Sequence, residues 1–309
     1  MLDVAIMIEG QDGLTWSRWQ RIARAVEDLG FAGLHRSDHY TNASPPDKAS
    51  LELWVSLTWL ASHTERIDFG PLVSPASFRH PSITARMAAA VDDLSGGRLI
   101  LGLGAGWQQR EHRMFGLDLL DVPARFDRFE EYLEVVTRLL QRDDRVSFEG
   151  EFYTLRDAIL LPRPQRPSGP PILVGGNGPR RTLPLTARFA DVWNGVYLTA
   201  ERFAERNARL DRLLDEEGRA PGDVRRTLMT QVVFGRDDAE VAAKLAEKGR
   251  TADEERDSGL IVGTASAIVD QLGALAEAGV ERVMLQWLDQ DDIDGLEALA
   301  HGVLPQLQV

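Results

Sequence analysis

Three groups of residues in this 309-residue chain have types and spacing suited to chemistry. Gly175-Gly176-Asn177-Gly178 leads through Pro179 into Arg180-Arg181-Thr182, where a helical pattern opens. A glycine turn before a helix N-terminus offers backbone N–H groups and the positive end of the helix dipole. The two arginines and the threonine add donors, so this segment suits capture of a phosphate-like anion. It is not a Walker loop, because the Gly-Lys-Ser/Thr element is missing. Ser37-Asp38-His39 sets a carboxylate beside an imidazole. That pair is either a proton-handling site near neutral pH or a histidine packed under a loop and capped by the aspartate. Glu9, directly after an apolar run, is either a site carboxylate or an ordinary loop charge.

Other strand ends carry weaker signals. Gly102-Leu103-Gly104-Ala105-Gly106-Trp107 would let backbone approach a ligand closely. It is not a dinucleotide fingerprint, since the third glycine would fall on Trp107 or Gln109. Gly70-Pro71-Leu72-Val73-Ser74-Pro75 reads as an ordinary rigid turn or an unusual backbone, and Trp193 of Trp193-Asn194-Gly195 reads as a barrel-wall residue. The six histidines form no close pair at ligand spacing, so no metal site is expected. No G-x-S-x-G elbow is present to support a serine hydrolase.

The elements that must position these residues alternate regularly. Apolar runs at Val4–Ile8, Gly33–Arg36, Ile67–Val73, Arg98–Leu103, Pro171–Gly175, Asp191–Asn194, Thr227–Phe234 and Val283–Trp287 read as strands, with helical patterns between them. In the first helix Trp16, Trp19, Ile22, Ala23, Val26 and Leu29 share one face, with Thr15 as N-cap and Gly30 just past the end. Others lie near Leu51–Ser62, from Pro81 to Leu94, and over Arg125–Arg142. Eight strands each followed by a helix argue for parallel pairing through right-handed crossovers and, as the closed solution, a (β/α)8 barrel spanning residues 1–309 as one domain. A doubly wound open sheet is the alternative. Two insertions exceed the minimal barrel. After the fourth strand, residues 143–170 read as a hairpin turning near Gly150 and a Pro-rich connector. After the seventh, residues 235–264 read as a charged helix and a polar stretch, Gly249–Gly259. Either is a lid or solvated decoration.

The formal net charge of −13 opposes association with nucleic acid, and no basic tract suggests a membrane surface. Any anionic ligand must be held by local donors. Cysteine is absent, no apolar run approaches bilayer length, and Met1 to Glu9 lack signal-peptide features. A cytoplasmic protein with a small-molecule partner is the expectation.

Taken in order, Ser37-Asp38-His39, Phe78-Arg79-His80-Pro81, Leu94-Ser95-Gly96-Gly97-Arg98-Leu99, Gly102 to Trp107, Arg125-Phe126-Asp127-Arg128-Phe129-Glu130-Glu131 and Gly175 to Asn194 resemble the luciferase-like monooxygenase superfamily. Within it they look like the deazaflavin (F420-dependent) oxidoreductases. The resemblance is strong over residues 1–200 and looser beyond. It implies a (β/α)8 barrel with a cofactor ring over the C-terminal mouth. Asp38 and His39 would lie near the reactive ring, and His39 would give or accept the proton. A non-proline cis peptide under the ring would map to about Leu72-Val73. Gly104, Ala105 and Gly106 would line the ring or ribityl chain, and Gly175, Gly176 and Asn177 would bind the phosphate. The implied reaction is hydride transfer at the central carbon of coenzyme F420, with FMN in a two-component monooxygenase, or a catalytically silent flavin-binding relative, as alternatives. The resemblance also implies a homodimer. One departure stands out: sugar-phosphate dehydrogenases of this family hold the substrate phosphate with lysines. This chain has only Lys48, Lys244 and Lys248.

Overall fold

The structure, a computed structural model, describes residues 2–307. The barrel strands are β1 (Asp3–Ile8), β2 (Gly33–Arg36), β3 (Asp68–Pro71) with β4 (Ser74–Pro75), β5 (Leu101–Gly104), β8 (Ile172–Gly175), β9 (Val192–Val196), β10 (Arg225–Phe234) and β12 (Arg282–Gln286). They pair in parallel in the order β3-β2-β1-β12-β10-β9-β8-β5-β4. The two ends meet: Phe69 donates its N–H to the Arg98 carbonyl at 3.1 Å, and Ile100 donates to Phe69 at 2.8 Å. Thus β3 and β4 are two halves of one stave. The lower half pairs with β2 and the upper half with β5. Between them the Leu72-Val73 peptide bond is cis.

Helices wrap the outside as the apolar periodicity requires. Helix α1 (Trp16–Asp28) buries Trp19, Ile22, Ala23 and Val26. Gly30 adopts φ +88° after it, whereas the Thr15 side chain does not cap it: its hydroxyl shares a hydrogen bond with Ser17 instead. Helices α2 (Leu53–His63) and α3 (Pro81–Leu94) follow, and Ser95-Gly96-Gly97 makes the turn after α3. A short α4 (Gln109–Phe115), absent from the expectations above, precedes α5 (Val122–Gln141). Helix α5 starts earlier than periodicity indicated, because the Asp121 carboxylate accepts from Ala124 N–H at 3.0 Å. Helices α6 (Thr182–Phe189) and α7 (Ala200–Glu216) follow β8 and β9.

The insertion after the fourth stave is the expected hairpin, β6 (Val146–Glu149) and β7 (Thr154–Ala158). The insertion after the seventh is more ordered than its polarity suggested. It contains α8 (Asp238–Lys248), α9 (Ala252–Asp257) and a parallel strand β11 (Ile261–Gly263) added to the far end of β10. Thr251 and Glu254 form a capping box that fixes α9 within the polar stretch Gly249–Gly259. Helices α10 (Ala265–Glu277) and α11 (Ile293–Val303) complete the ring.

Inside the barrel, Ala5, Met7, Leu72, Ile100, Leu173, Val192, Met229 and Met284 pack together as a core separate from the strand–helix layer. Deeper, His35 is fully buried, and burial with the Arg282 charge pushes its pKa down to about 3, so its ring is neutral. Closure at β5 depends on the absence of side chains. A Cβ on Gly102 would lie 2.0 Å from the Pro71 carbonyl oxygen, and one on Gly104 would lie 2.6 Å from Cγ2 of Val73. Gly102→Ala therefore forces β5 away from the broken stave. A loss of about 3 kcal/mol is expected from overpacking at this backbone contact. Urea unfolding measures it, and a loss below about 1 kcal/mol would contradict closure by backbone contact at this seam.

Candidate functional site

All eight staves send residues to one cavity of about 510 Å3 at their C-terminal ends. Its floor is Leu72, Val73 and Pro75 from the broken stave, with Met7 and Met229 beside them. Gly104, Ala105 and Gly106 form one flank, capped by Trp107 and by Phe126 of α5. Gly175 and Gly176 form the next, followed by Asn194, Val196 and Tyr197. Glu9, Gln11, Ser37, His39 and Gln286 make the polar side. Of the residues singled out from sequence, Glu9, His39, Leu72, Val73, Gly104, Ala105, Gly106, Gly175 and Gly176 converge here. Asp38, Asn177, Gly178, Arg180, Arg181 and Thr182 do not line the cavity itself.

His39 is held by a residue that sequence reading missed. Its Nδ1 lies 2.8 Å from the Glu111 carboxylate, whose other oxygen accepts from Tyr40 N–H at 3.0 Å. Glu111 is fully buried on α4. Burial opposes charging of His39, but the Glu111 hydrogen bond and charge, with Glu9 and Asp38 adding, outweigh it and raise the His39 pKa above its usual value. The ring also meets Trp107 edge-on, with centroids 5.6 Å apart. The next residue, Tyr40, stacks on Phe78 at 4.4 Å and meets Phe115 at 4.9 Å, which fixes the arm that carries His39. With Nδ1 on Glu111, Nε2 is the nitrogen left for chemistry. It has no protein partner among the described residues.

Asp38 sits beneath this wall. Its carboxylate accepts from Ser74 Oγ at 2.7 Å and from the Arg79 guanidinium, which also donates to Glu52 at 3.0 Å. Burial alone would lower the Arg79 pKa, but the Asp38 charge and hydrogen bond outweigh it and hold Arg79 above its usual value. Asp38 thus ties β2 to β4 and to the segment before α3, with both its partners outside the cavity lining.

The polar side is a chain of hydrogen bonds. Tyr197 Oη donates to Gln286 Oε1 at 2.5 Å, and Gln286 Nε2 donates to one Glu9 oxygen at 2.5 Å. Gln11 donates to the other Glu9 oxygen at 2.7 Å, Ser37 donates to Gln11 at 2.6 Å, and Gly10 N–H donates to Ser37 at 2.8 Å. Burial, with the Glu9 charge adding, raises the Tyr197 pKa to about 12, so its proton is retained at neutral pH. Gln286 closes the eighth strand. Its signal in the sequence is its place as the polar residue at the end of that apolar run. Tyr197 lies just past the sixth strand at φ +51°, a backbone that sequence did not announce.

The glycine turn differs in detail from its expected role. The Asn177 side chain bridges to Val196, donating to its carbonyl at 2.7 Å and accepting from its N–H at 2.9 Å. Gly176 N–H donates to the Asn194 carbonyl at 2.9 Å. Both groups therefore join β8 to β9. No side chain caps the N-terminus of α6, and Thr182 packs against Gly176 and Gly178. Arg180 and Arg181 are exposed at the rim, and the Arg181 guanidinium lies 5.7 Å from the Phe126 ring centroid. Among the described residues, no group of three or more His, Cys, Asp or Glu could hold a metal ion, and no helix is long and apolar enough to cross a membrane.

A family model described as luciferase-like monooxygenase matches residues 4–252. The F420-dependent glucose-6-phosphate dehydrogenase of Kineococcus radiotolerans is 28% identical over 90% of this chain and 80% of its own length. The pyrimidine monooxygenase RutA of Escherichia coli is 27% identical over 84% and 75%. A solved F420-dependent secondary alcohol dehydrogenase, in complex with an F420-acetone adduct, superposes with a TM-score of 0.86 at 18% identity, covering 99% of both chains. At that identity the likeness speaks for the shared fold. The extent of the family match leaves one assignment: this chain belongs to the luciferase-like monooxygenase family.

Proposed function

We propose that the protein is an F420-dependent oxidoreductase that moves a hydride between the deazaflavin and a small organic substrate. The observation that carries the reading is His39, fixed on buried Glu111 at the edge of an apolar floor. The similarity to F420-dependent dehydrogenases supports the choice of cofactor. When bound, the deazaflavin supplies hydride chemistry at its central ring carbon, and the protein supplies orientation and proton handling.

The residues present fit such a group. Leu72, Val73 and the Gly104–Gly106 backbone offer a flat apolar surface, and the missing Cβ at Gly104 leaves room for Val73 to form it. The turn from Gly178 to Thr182 at the start of α6 would hold the anionic tail through backbone N–H groups, Thr182, Arg180 and Arg181. Asp38 is a positioning residue for the β2–β4 seam. His39 Nε2 takes a proton from a substrate hydroxyl in the oxidative direction and returns it in the reductive one. The homodimer implied by family resemblance belongs to this proposal.

His39 is stabilised as imidazolium in the folded chain. Its contribution to stability is present below the unfolded pKa and is lost as pH rises through the folded value. The Cε1 proton of His39, followed by NMR, should titrate above 6.5, and the midpoint should fall in Glu111→Gln. Equal midpoints would contradict the pairing. His39→Asn should lower kcat by about 10²- to 10⁴-fold, with F420 affinity retained. A second measurement addresses the cofactor: titration with F420 and, separately, FMN, read by fluorescence. F420 should bind, and Arg180→Glu/Arg181→Glu should weaken it by about tenfold. FMN binding with no F420 binding would reverse the reading towards the monooxygenase relatives.

A further inference from the structure

We propose that the substrate part of this cavity selects hydroxyl- or amine-bearing molecules and rejects phosphate esters and carboxylates; the proposal rests on the oxidoreductase reading above. The relevant wall is the chain Tyr197, Gln286, Glu9, Gln11 and Ser37. Its hydrogen bonds have a direction. Donors run inward from both ends and converge on the Glu9 carboxylate. The Tyr197 and Ser37 hydroxyl protons are both engaged within the wall. What these hydroxyls can still offer is oxygen lone pairs, and the two Glu9 oxygens each accept one bond from within the wall and have capacity for more. Among these five side chains, the donors left are the second amide hydrogens of Gln286 and Gln11. The wall is therefore rich in acceptors and carries a formal negative charge.

No lysine or arginine lines the cavity among the described residues. The charged groups around the wall do not reverse its sign. Arg36 lies behind Gly10, buried and outside the cavity lining, with its hydrogen bonds taken by the Leu51 carbonyl and the Ser56 hydroxyl; its charge and that of Arg79 together face the two carboxylates of Asp38 and Glu52, which leaves Glu9 over. Lys48, in an adjoining groove that shares Glu9, Gln11 and Trp107, is paired with Asp12 at 2.5 Å. Arg79 is taken by Asp38 and Glu52. His39, the one titratable cation lining the cavity, is already paired with buried Glu111, so an anionic substrate would face Glu9 with no uncompensated cation, and like charges juxtaposed in a cleft discriminate strongly between partners. A hydroxyl or amine would instead donate to Glu9 or to the free lone pairs. Burying its donor would leave no polar group unpaired.

The test uses three matched pairs of probes: glucose and glucose 6-phosphate, cyclohexanol and cyclohexanecarboxylate, propan-2-ol and lactate. Binding is measured by calorimetry on the protein with and without F420, for wild type and Glu9→Gln, with a thermal melt to confirm that the variant folds. At least one uncharged member should bind, its anionic counterpart should bind about tenfold or more weakly, and Glu9→Gln should narrow that gap. The proposal is overturned if an anionic member binds as well as its partner, if no uncharged member binds, or if Glu9→Gln leaves the ratio unchanged. Failure of F420 to bind would overturn the cofactor reading instead, and the charge preference is still read from the protein without it.

Discussion

The arrangement depends on how closely backbone approaches backbone at one seam of the barrel. Stave three is broken at the cis Leu72-Val73 bond, and stave four can lie against it only because Gly102 and Gly104 bring no Cβ into the gap. That contact closes the barrel through Phe69, Arg98 and Ile100. The same seam carries Leu72 and Val73, which line the cavity. The shape of the pocket and the closure of the fold are thus one packing solution.

Around this floor, charge is handled locally. The chain is strongly acidic overall, yet individual carboxylates are used as fixed acceptors. Asp38 is neutralised by Arg79 below the wall, Glu111 holds His39, and Glu9 collects donors from two glutamines. Because Asp38 and Glu111 are buried, their partners are screened weakly by solvent, and the orientation of His39 follows from packing as much as from charge. Arg180 and Arg181 are exposed outside the cavity lining, whose one carboxylate is Glu9.

Most of the barrel could be read from sequence because its signal is periodic. The eight apolar runs became the eight staves, and the face of α1 followed its spacing from Trp19 to Val26, although Trp16 at its start is exposed. Non-periodic features were less accessible. The β11 strand is three residues long, and α9 is announced only by the Thr251–Glu254 box. At the site, glycine-rich strand ends and His39 carried local signals. Glu111 did not: on α4 it looks like any helical glutamate, and its meaning arises from contact with a residue 72 positions away. Asp38 shows the converse, since its type suggested chemistry while its partners give it a structural role. The family resemblance placed the cis bond correctly, which no propensity argument could have done.

The most direct measurement of the central claim is a crystal structure of the protein bound to F420. The tricyclic ring should lie against Leu72 and Val73 with His39 at its edge, and the anionic tail should run to the turn before Thr182. Density for the cofactor on the opposite rim of the barrel, or an empty cavity at saturating F420, would contradict it.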